Sequence, residues 1–153
     1  MNALPTINLG SKTRLSILWL FATLNYLYCD VLQLMDPHQL RGFLAGNVGG
    51  FSISQGFLLA AGVLVEIPIA MVVLSLVLSH RANRWTNIGA GVFMSLVQLA
   101  TLAGRASALY YVFFSVIEIA TTVAIVWLAW KWVGQEALVS EELGSRREVA
   151  APR

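Results

Sequence analysis

Four long apolar runs constrain this chain more than any other feature of its sequence. They cover approximately residues 15–35, 55–79, 85–103 and 108–132, and few charged side chains interrupt them. A helix rises about 1.5 Å per residue, so about 20 apolar residues cross the roughly 30 Å hydrocarbon layer of a bilayer. The runs therefore predict an all-α polytopic membrane protein, folded as a bundle of four transmembrane helices.

The composition agrees with this class and excludes others. Apolar residues make up 58% of the chain and charged residues 12%, a balance outside the range of soluble globular domains. The net charge of +2 lacks the dense basic patch of a nucleic-acid-binding surface, so no nucleic-acid partner is expected. The expected surroundings of the chain are the lipid bilayer.

The first run is expected to be a retained helix and not a cleaved signal peptide. It is longer than the roughly 7 to 15 apolar residues of a signal-peptide core. It also contains Asn25 and Asp30 and lacks a cleavage site with small residues.

The basic residues predict the orientation in the membrane. With four crossings, the side that holds both termini receives most of them: Lys12, Arg14, Arg81, Arg84, Lys131, Arg146, Arg147 and Arg153. The opposite side receives only Arg41 and Arg105. Because cytoplasmic segments are enriched in Lys and Arg, both termini are expected in the cytoplasm.

The cysteine and histidine residues give no sign of a metal or a cofactor. Cys29 is the only cysteine, so an intramolecular disulfide is excluded. His38 and His80 fall at opposite membrane faces, which separates them too far for a shared metal ion. A site that joins Asp36 to His38 stays open as an alternative to a solvated turn.

Two glutamates, Glu66 and Glu118, each lie near the middle of an apolar run. A charged side chain at this depth costs roughly 2.5 to 3.5 kcal/mol on insertion scales and is usually retained for a function or a partner. No basic residue lies in the middle of a run, so two acids facing one cavity would share a proton or hold a cation. Alternatively, hydrogen bonds from Gln98 or Tyr111 would satisfy them, and they would serve only to join helices.

Polar and small residues share one face of the third and fourth predicted helices. They recur at spacings of three and four residues: Asn87, Gly91, Ser95 and Gln98, then Tyr111, Ser115, Glu118 and Thr122. Such spacings place side chains on one side of a helix. Because apolar side chains provide little drive for helix association in lipid, both faces are predicted to point inward.

The first two helices are expected to contribute to the same polar layer. Asn25 lies near mid-depth on the first helix and Asp30 about one turn closer to the outside. On the second helix, Glu66 shares its row with Gly62, which would allow a close approach. Pro68 removes a backbone donor and predicts a bend in this helix beside Glu66.

The remaining segments are a loop and a tail. The connection 36–54 is glycine-rich and is expected to be either a lid over an access route or a flexible loop. Residues 37–44 predict a short interfacial helix in which Phe43 and Leu44 dip inward. Residues 134–153 are predicted to be a polar cytoplasmic tail, solvated and partly disordered.

Three strings resemble a known family. They are LSILWLFATLNYLYCDVLQLMDP at 15–37, VEIPIAMVVLSLVLSHRANRWTNIGAG at 65–91 and YYVFFSVIEIATTVAIVWLAWKW at 110–132. They are similar to a bacterial family of small four-helix integral membrane proteins classified as a domain of unknown function. The resemblance implies a multi-pass protein of the bacterial inner membrane and assigns no functional residues.

The sequence thus predicts a polar mid-membrane pocket that binds or transports a small ligand, cationic or lipophilic, or protons. Six residues are expected to line it: Glu66, Glu118, Asp30, Asn25, Gln98 and Tyr111. A path across the membrane would call for a homodimer, since one bundle of four helices is small. The alternatives are an assembly partner of another membrane protein and an intramembrane enzyme acting on a lipid or quinone, although no catalytic residue is identified.

Overall fold

The computed structural model describes residues 10–105 and 108–150, and the surroundings of the side chains of residues 10–103 and 108–132. This part of the chain is helical apart from one short hairpin. The elements are α1 (Ser11–Met35), α2 (Pro37–Leu44), β1 (Asn47–Val48), β2 (Phe51–Ser52), α3 (Gln55–Val77), α4 (His80–Arg105) and α5 (Leu109–Ala150). The prediction of an all-helical protein is confirmed.

Four helices are long and apolar enough to cross a bilayer. The candidate spans are Ser11–Met35, Gln55–Val77, His80–Ala103 and Leu109–Trp132. The chain is therefore a multi-pass membrane protein. Helix α5 continues beyond its span to Ala150, through most of the segment for which the sequence predicts a partly disordered tail.

Two of the helices also begin before their apolar runs. Helix α1 starts at Ser11, and α4 starts at His80, about four or five residues earlier than predicted. Apolar length measures the thickness of the hydrocarbon layer, whereas the polar residues that precede each run are compatible with helix outside it.

The turn between α1 and α2 follows from two adjacent residues. The Asp36 carboxylate accepts a hydrogen bond from the backbone N–H of His38 at 2.9 Å, and Pro37 occupies the first turn of α2. Both are favoured at a helix N-terminus. The predicted short helix 37–44 is confirmed, but Leu44 is 81% exposed, so the expectation that it dips inward is wrong.

The glycine-rich connection forms a tight hairpin. Strands β1 and β2 pair antiparallel, with Val48 opposite Phe51. Gly49 and Gly50 connect them with φ angles of 54° and 88°. Two successive positive φ angles suit the right-handed twist of a two-residue hairpin and are readily adopted by glycine. The segment is therefore an ordered structure above the spans.

Each of the four long helices packs against two others, so that together they form a ring. Helix α1 packs against α3 and α5, α5 packs against α4, and α3 and α4 make the smallest of these contacts. At Gly91 of α4, a Cβ atom would lie 2.7 Å from Cγ2 of Val126. The absence of a side chain at Gly91 therefore sets how closely α4 and α5 approach.

The two polar faces point inward, as predicted. All members of the rows on α4 and α5 are buried except Ser95, which is half-buried. Ser95 and Thr122 share a hydrogen bond of 2.7 Å between their hydroxyl groups, and Gln98 Nε2 donates to Ser115 Oγ at 2.8 Å. These contacts fix the relative position of α4 and α5.

A buried hydrogen-bond network at Asn87 joins α4 to both α1 and α3. Its Oδ1 accepts from Trp19 Nε1 at 2.7 Å and from Ser75 Oγ at 3.2 Å. Its Nδ2 donates to Asn83 Oδ1 at 2.6 Å, and Asn83 Nδ2 donates to the Ser75 carbonyl at 2.6 Å. The network thus connects α1, α3 and α4.

An apolar core surrounds this network. It consists of Leu15, Trp19, Met71, Met94 and Ile125. It lies toward the end of the spans where α1 begins and α3 ends, which we call the basic end because Lys12, Arg14, Arg81, Arg84 and Lys131 lie there. We call the opposite end, with α2 and the hairpin, the capped end.

We expect Asn87→Ala to lower the free energy of unfolding by about 1–3 kcal/mol, because it leaves the buried Trp19 N–H without an acceptor and removes three further contacts. Trp19→Phe removes only one donor and is expected to cost less. Reversible unfolding in mixed detergent micelles, followed by circular dichroism, measures both. An Asn87→Ala variant as stable as the wild type would show that the network does not hold the helices together.

Candidate functional site

A cavity of about 420 Å³ lies between the four spans, in their half near the capped end. Each span contributes to its wall, and α2 and the hairpin contribute Phe43 and Val48. Its lining consists of Tyr26, Cys29, Asp30, Gln33, Leu34, Phe43, Val48, Phe57, Ala61, Leu64, Val65, Pro68, Met94, Val97, Gln98, Thr101, Tyr111 and Glu118. This volume falls within the range of sites for small molecules.

Glu118 is the most deeply placed acid of the cavity. The residue is 1% exposed, and its Oε1 has no hydrogen-bond donor among the described residues. Its backbone carbonyl accepts from Thr122 Oγ1 at 3.0 Å, so the turn that carries Glu118 is held while the carboxyl group itself is left incompletely satisfied. A buried acceptor without a donor costs free energy unless a ligand, a proton or water satisfies it.

Helix α1 places a second acid in the wall. Asp30 lines the cavity, and its Oδ1 accepts from Gln33 Nε2 at 3.2 Å. Gln33 also approaches Cys29 Sγ at 4.0 Å. Tyr26 lies one turn before Asp30, and its hydroxyl is buried without a hydrogen-bond partner among the described residues. Within the part of the chain that the structure describes, the Glu118 Oε1 and the Tyr26 hydroxyl are thus buried polar atoms of the wall without a hydrogen-bond partner.

The remaining polar groups of the wall are contributed by α4 and α5. Gln98 and Tyr111 are buried and line the cavity, and Gln98 is held by its bond to Ser115. Thr101 donates to the backbone carbonyl of Gln98 at 3.0 Å. The bond to Ser115 fixes the side-chain amide of Gln98, as expected of a polar group that could orient a ligand.

The rest of the wall is apolar and aromatic. Phe43 and Phe57 contribute rings from α2 and α3, and Leu64, Pro68 and Met94 contribute aliphatic surface. Pro68 has no N–H to donate to the Leu64 carbonyl, and both residues line the cavity. Among the described lining residues there is no Lys, Arg or His, so its two carboxyl groups face no basic side chain.

Four of the six residues predicted to bind a ligand meet in this cavity: Glu118, Asp30, Gln98 and Tyr111. Asn25 does not line it, since its Nδ2 donates to the carbonyl of Phe21 at 2.8 Å within α1. The ligand-binding role of all six residues stays a prediction.

Glu66 lies outside the cavity. It is exposed at the middle of α3, while Pro68 and Met71 of the same helix are buried. Two residues turn an α-helix by about 200°, so the inward position of Pro68 directs Glu66 outward. The expectation that Glu66 and Glu118 face one cavity is wrong.

The capped end holds Asp36 in a structural role. Its two oxygens accept from the His38 N–H and from the Tyr110 hydroxyl, the latter at 3.3 Å. These contacts tie the α1–α2 corner to the start of α5. The described residues contain no group of three His, Cys, Asp or Glu side chains that could hold a metal ion.

Sequence reasoning assigned no site role to several residues that shape this region. Tyr26, Cys29 and Gln33 line the cavity, and Asn83 with Ser75 completes the network at Asn87. The spacing of Asn83 and Asn87, four residues apart on one helix, is a signal that could have found the network. The sequence predicts that Phe43 dips inward, and its ring is part of the wall. No comparable signal identifies Val48, which reaches the wall through the tertiary fold.

Cys29 provides a reporter of access to the cavity, since it lines the wall and is 3% exposed. We expect a membrane-permeant maleimide to label it slowly in the folded protein. Phe43→Ala removes a ring from the capped end and is expected to speed labelling several-fold. Mass spectrometry of the intact protein over time measures the rate, with Leu44→Ala as the matched control because Leu44 points away. Equal rates in all three proteins would show that Phe43 does not restrict access.

Comparison with known proteins identifies a family to which the chain belongs, but no individual curated protein or solved structure that matches it. Residues 8–140 match the profile described as "Family of unknown function (DUF6326)". This match covers most of the chain, confirms the resemblance found in the sequence, and shows that the chain belongs to that family.

Proposed function

We propose that the protein binds a small organic cation with an apolar body in the cavity between its four spans. The carboxyl groups of Glu118 and Asp30 hold the charge, Gln98 and Tyr111 orient the ligand, and the apolar wall encloses the rest. The observation that carries the proposal is the buried Oε1 of Glu118, which has no donor among the described residues.

The charge of the wall favours a cation over an anion or a neutral molecule. Two acids and no described base line the cavity, so a bound anion would be repelled in a medium of low dielectric constant. Aromatic rings of Tyr26, Phe43 and Phe57 stand in the same wall, and the faces of such rings attract cations. In the absence of a ligand, a proton on Glu118 would reduce the cost of its burial.

The proposal includes an orientation and a location. We place both termini and the basic end in the cytoplasm, in accordance with the excess of Lys and Arg at that end. The family resemblance favours the inner membrane of a bacterium. The spans would then form a four-helix bundle whose cavity lies nearer the outer surface, beneath α2 and the hairpin.

Binding of tetraphenylphosphonium, a lipophilic cation, tests the proposal. Purified protein in detergent micelles is expected to bind it, and Glu118→Gln is expected to weaken binding at least tenfold, or about 1.4 kcal/mol, because it removes the buried negative charge. Equilibrium dialysis with the radiolabelled cation measures the affinity. Circular dichroism checks that each variant is folded.

The chain offers a matched control for this experiment. Glu66→Gln makes the same chemical change on the outer face of α3 and is expected to leave binding unchanged. Tetraphenylborate, an anion of the same shape, is expected not to bind. Equal binding of both ions, or a larger loss for Glu66→Gln than for Glu118→Gln, would contradict a cation site at Glu118.

A second function, assembly with another copy of the chain, is favoured by the position of Glu66. This carboxyl group lies at the middle of a candidate span, on an exposed face, with no hydrogen-bond partner among the described residues. Lipid offers it no partner. The same group of a copy related by a two-fold axis would lie opposite Glu66 and would offer it a polar partner within the membrane.

The low burial of α3 also favours assembly with a second copy of the chain. Only 11% of its span is buried, against 22–33% for the other three. Its exposed face carries Gly62 in the same row as Glu66, and a Cβ atom at Gly62 would contact nothing within 4 Å among the described residues. Small residues on an exposed face allow a second helix to approach closely.

Disulfide cross-linking in membranes tests this assembly. In a Cys29→Ser background, Leu59→Cys lies on the Glu66 face and is expected to form a cross-linked dimer of the chain. Adding Glu66→Leu is expected to reduce the dimer several-fold, whereas Glu66→Gln retains it because an amide is also self-complementary. Gel electrophoresis without reductant measures the dimer fraction.

Leu96→Cys, on an exposed face of α4, is the control for random collisions. Cross-linking at Leu59 no higher than at Leu96 would contradict a dimer through α3. A cross-linked product that joins the Leu59→Cys chain only to a different protein would also contradict a dimer of this chain through α3.

A further inference from the structure

A cation lies between two tryptophan rings at the basic end, on the outer surface where α4 meets α5. The guanidinium carbon of Arg84 is 5.2 Å from the ring centroid of Trp85 and 5.5 Å from that of Trp130. Its Nε is buried and has no hydrogen-bond acceptor among the described residues. Arg84 is thus held in place by two rings while one of its donors remains unused.

A second cation lies on α5, at the residue that follows Trp130. The Lys131 ammonium lies 4.1 Å from the ring centroid of Trp127. Trp85, Trp127 and Trp130 are all exposed by more than half. Tryptophan at this depth favours the boundary between headgroups and acyl chains, where the ring is dry and the N–H group is wet.

An apolar groove follows the same helix pair deeper into the membrane. It has a volume of about 200 Å³ and is lined by Val92, Ser95, Leu96, Val123 and Val126. Beside the groove, Gly91 lets α4 approach Val126 closely. Its only polar side chain, Ser95, is already bonded to Thr122 and to the Gly91 carbonyl, so an acyl chain can lie in the groove without leaving a polar group unsatisfied.

The distance between the basic residues and the groove is short enough for one lipid molecule to reach both. Arg84 and Val92 are separated by eight residues, or about 12 Å along α4 at about 1.5 Å per residue. On α5, Trp130, Val126 and Val123 recur at spacings of four and three residues and therefore share a face. The charged cluster thus leads directly into the groove.

We propose that this surface binds one anionic phospholipid. Arg84 and Lys131 bind the phosphate group, the exposed tryptophans contact the glycerol region, and one acyl chain occupies the groove between α4 and α5. Among the described residues no carboxylate pairs with Arg84 or Lys131, so their charges favour a lipid with a net negative charge over a zwitterionic one. The site is separate from the cavity of Glu118 and does not depend on the proposed function.

Native mass spectrometry tests the site. Protein released from micelles that contain equal amounts of phosphatidylglycerol and phosphatidylcholine is expected to retain the former with a preference of about thirtyfold, given the gain expected from two basic residues near a lipid headgroup. The Arg84→Gln/Lys131→Gln double variant is expected to lose this preference. The single variant Arg84→Lys keeps the positive charge and the native Lys131, and is expected to retain most of the preference for phosphatidylglycerol.

Matched controls separate the headgroup from the chain. Arg41→Gln, at the capped end, is expected to leave the preference unchanged. Val123→Trp fills the groove and is expected to weaken retention of phosphatidylglycerol, whereas Val116→Trp, on an exposed part of α5 outside the groove, does not. Lys131→Gln alone, an exposed substitution, provides a folded variant with a partial loss.

Several outcomes would overturn the proposal. These are equal retention of the two lipids by the wild type, an unchanged preference in a folded double variant, and displacement of the lipid by excess glycerol phosphate. The last would show that the surface recognises a free phosphate group and not a phospholipid.

Discussion

Polar side chains decide which helix faces meet in this protein, because apolar side chains are as well accommodated by lipid as by one another. Asn87 is the centre of this arrangement. It accepts from Trp19 of α1 and from Ser75 of α3, and it donates to Asn83 of its own helix. Once these bonds fix α1, α3 and α4, the cavity residues on the same helices have defined positions.

The contacts between α4 and α5 complete the frame. Gly91 allows the helices to approach, and the hydroxyl pair of Ser95 and Thr122 sets their register. Gln98 bonds to Ser115 one turn nearer the cavity, so an amide of the wall is also part of the joint between helices. Packing and the candidate site therefore share residues.

The sequence predicted the spans because their length and hydropathy depend only on local composition. Periodicity also grouped residues correctly by face, as with Asn87, Gly91 and Gln98. It does not say which face points inward. Gly62 and Glu66 share a face of α3 as predicted, but that face is exposed, and the buried positions of Pro68 and Ser75 mark the opposite one. The sequence also predicts that Phe43 dips inward, whereas the position of Val48 in the cap depends on tertiary folding and left no signal in the sequence.

The Asn87 network also has a consequence for movement through the protein. It lies below the cavity, with Trp19 and Met71 packed around it, and so acts as a floor on the cytoplasmic side of the proposed orientation. The cavity above has unused polar atoms, whereas the donors and acceptors of the floor are engaged with one another. Under the proposed function, a ligand would therefore exchange with the outer side while the floor stays closed, and its passage to the other side would require several hydrogen bonds to break together. One-sided binding would then be the resting behaviour of the proposed site.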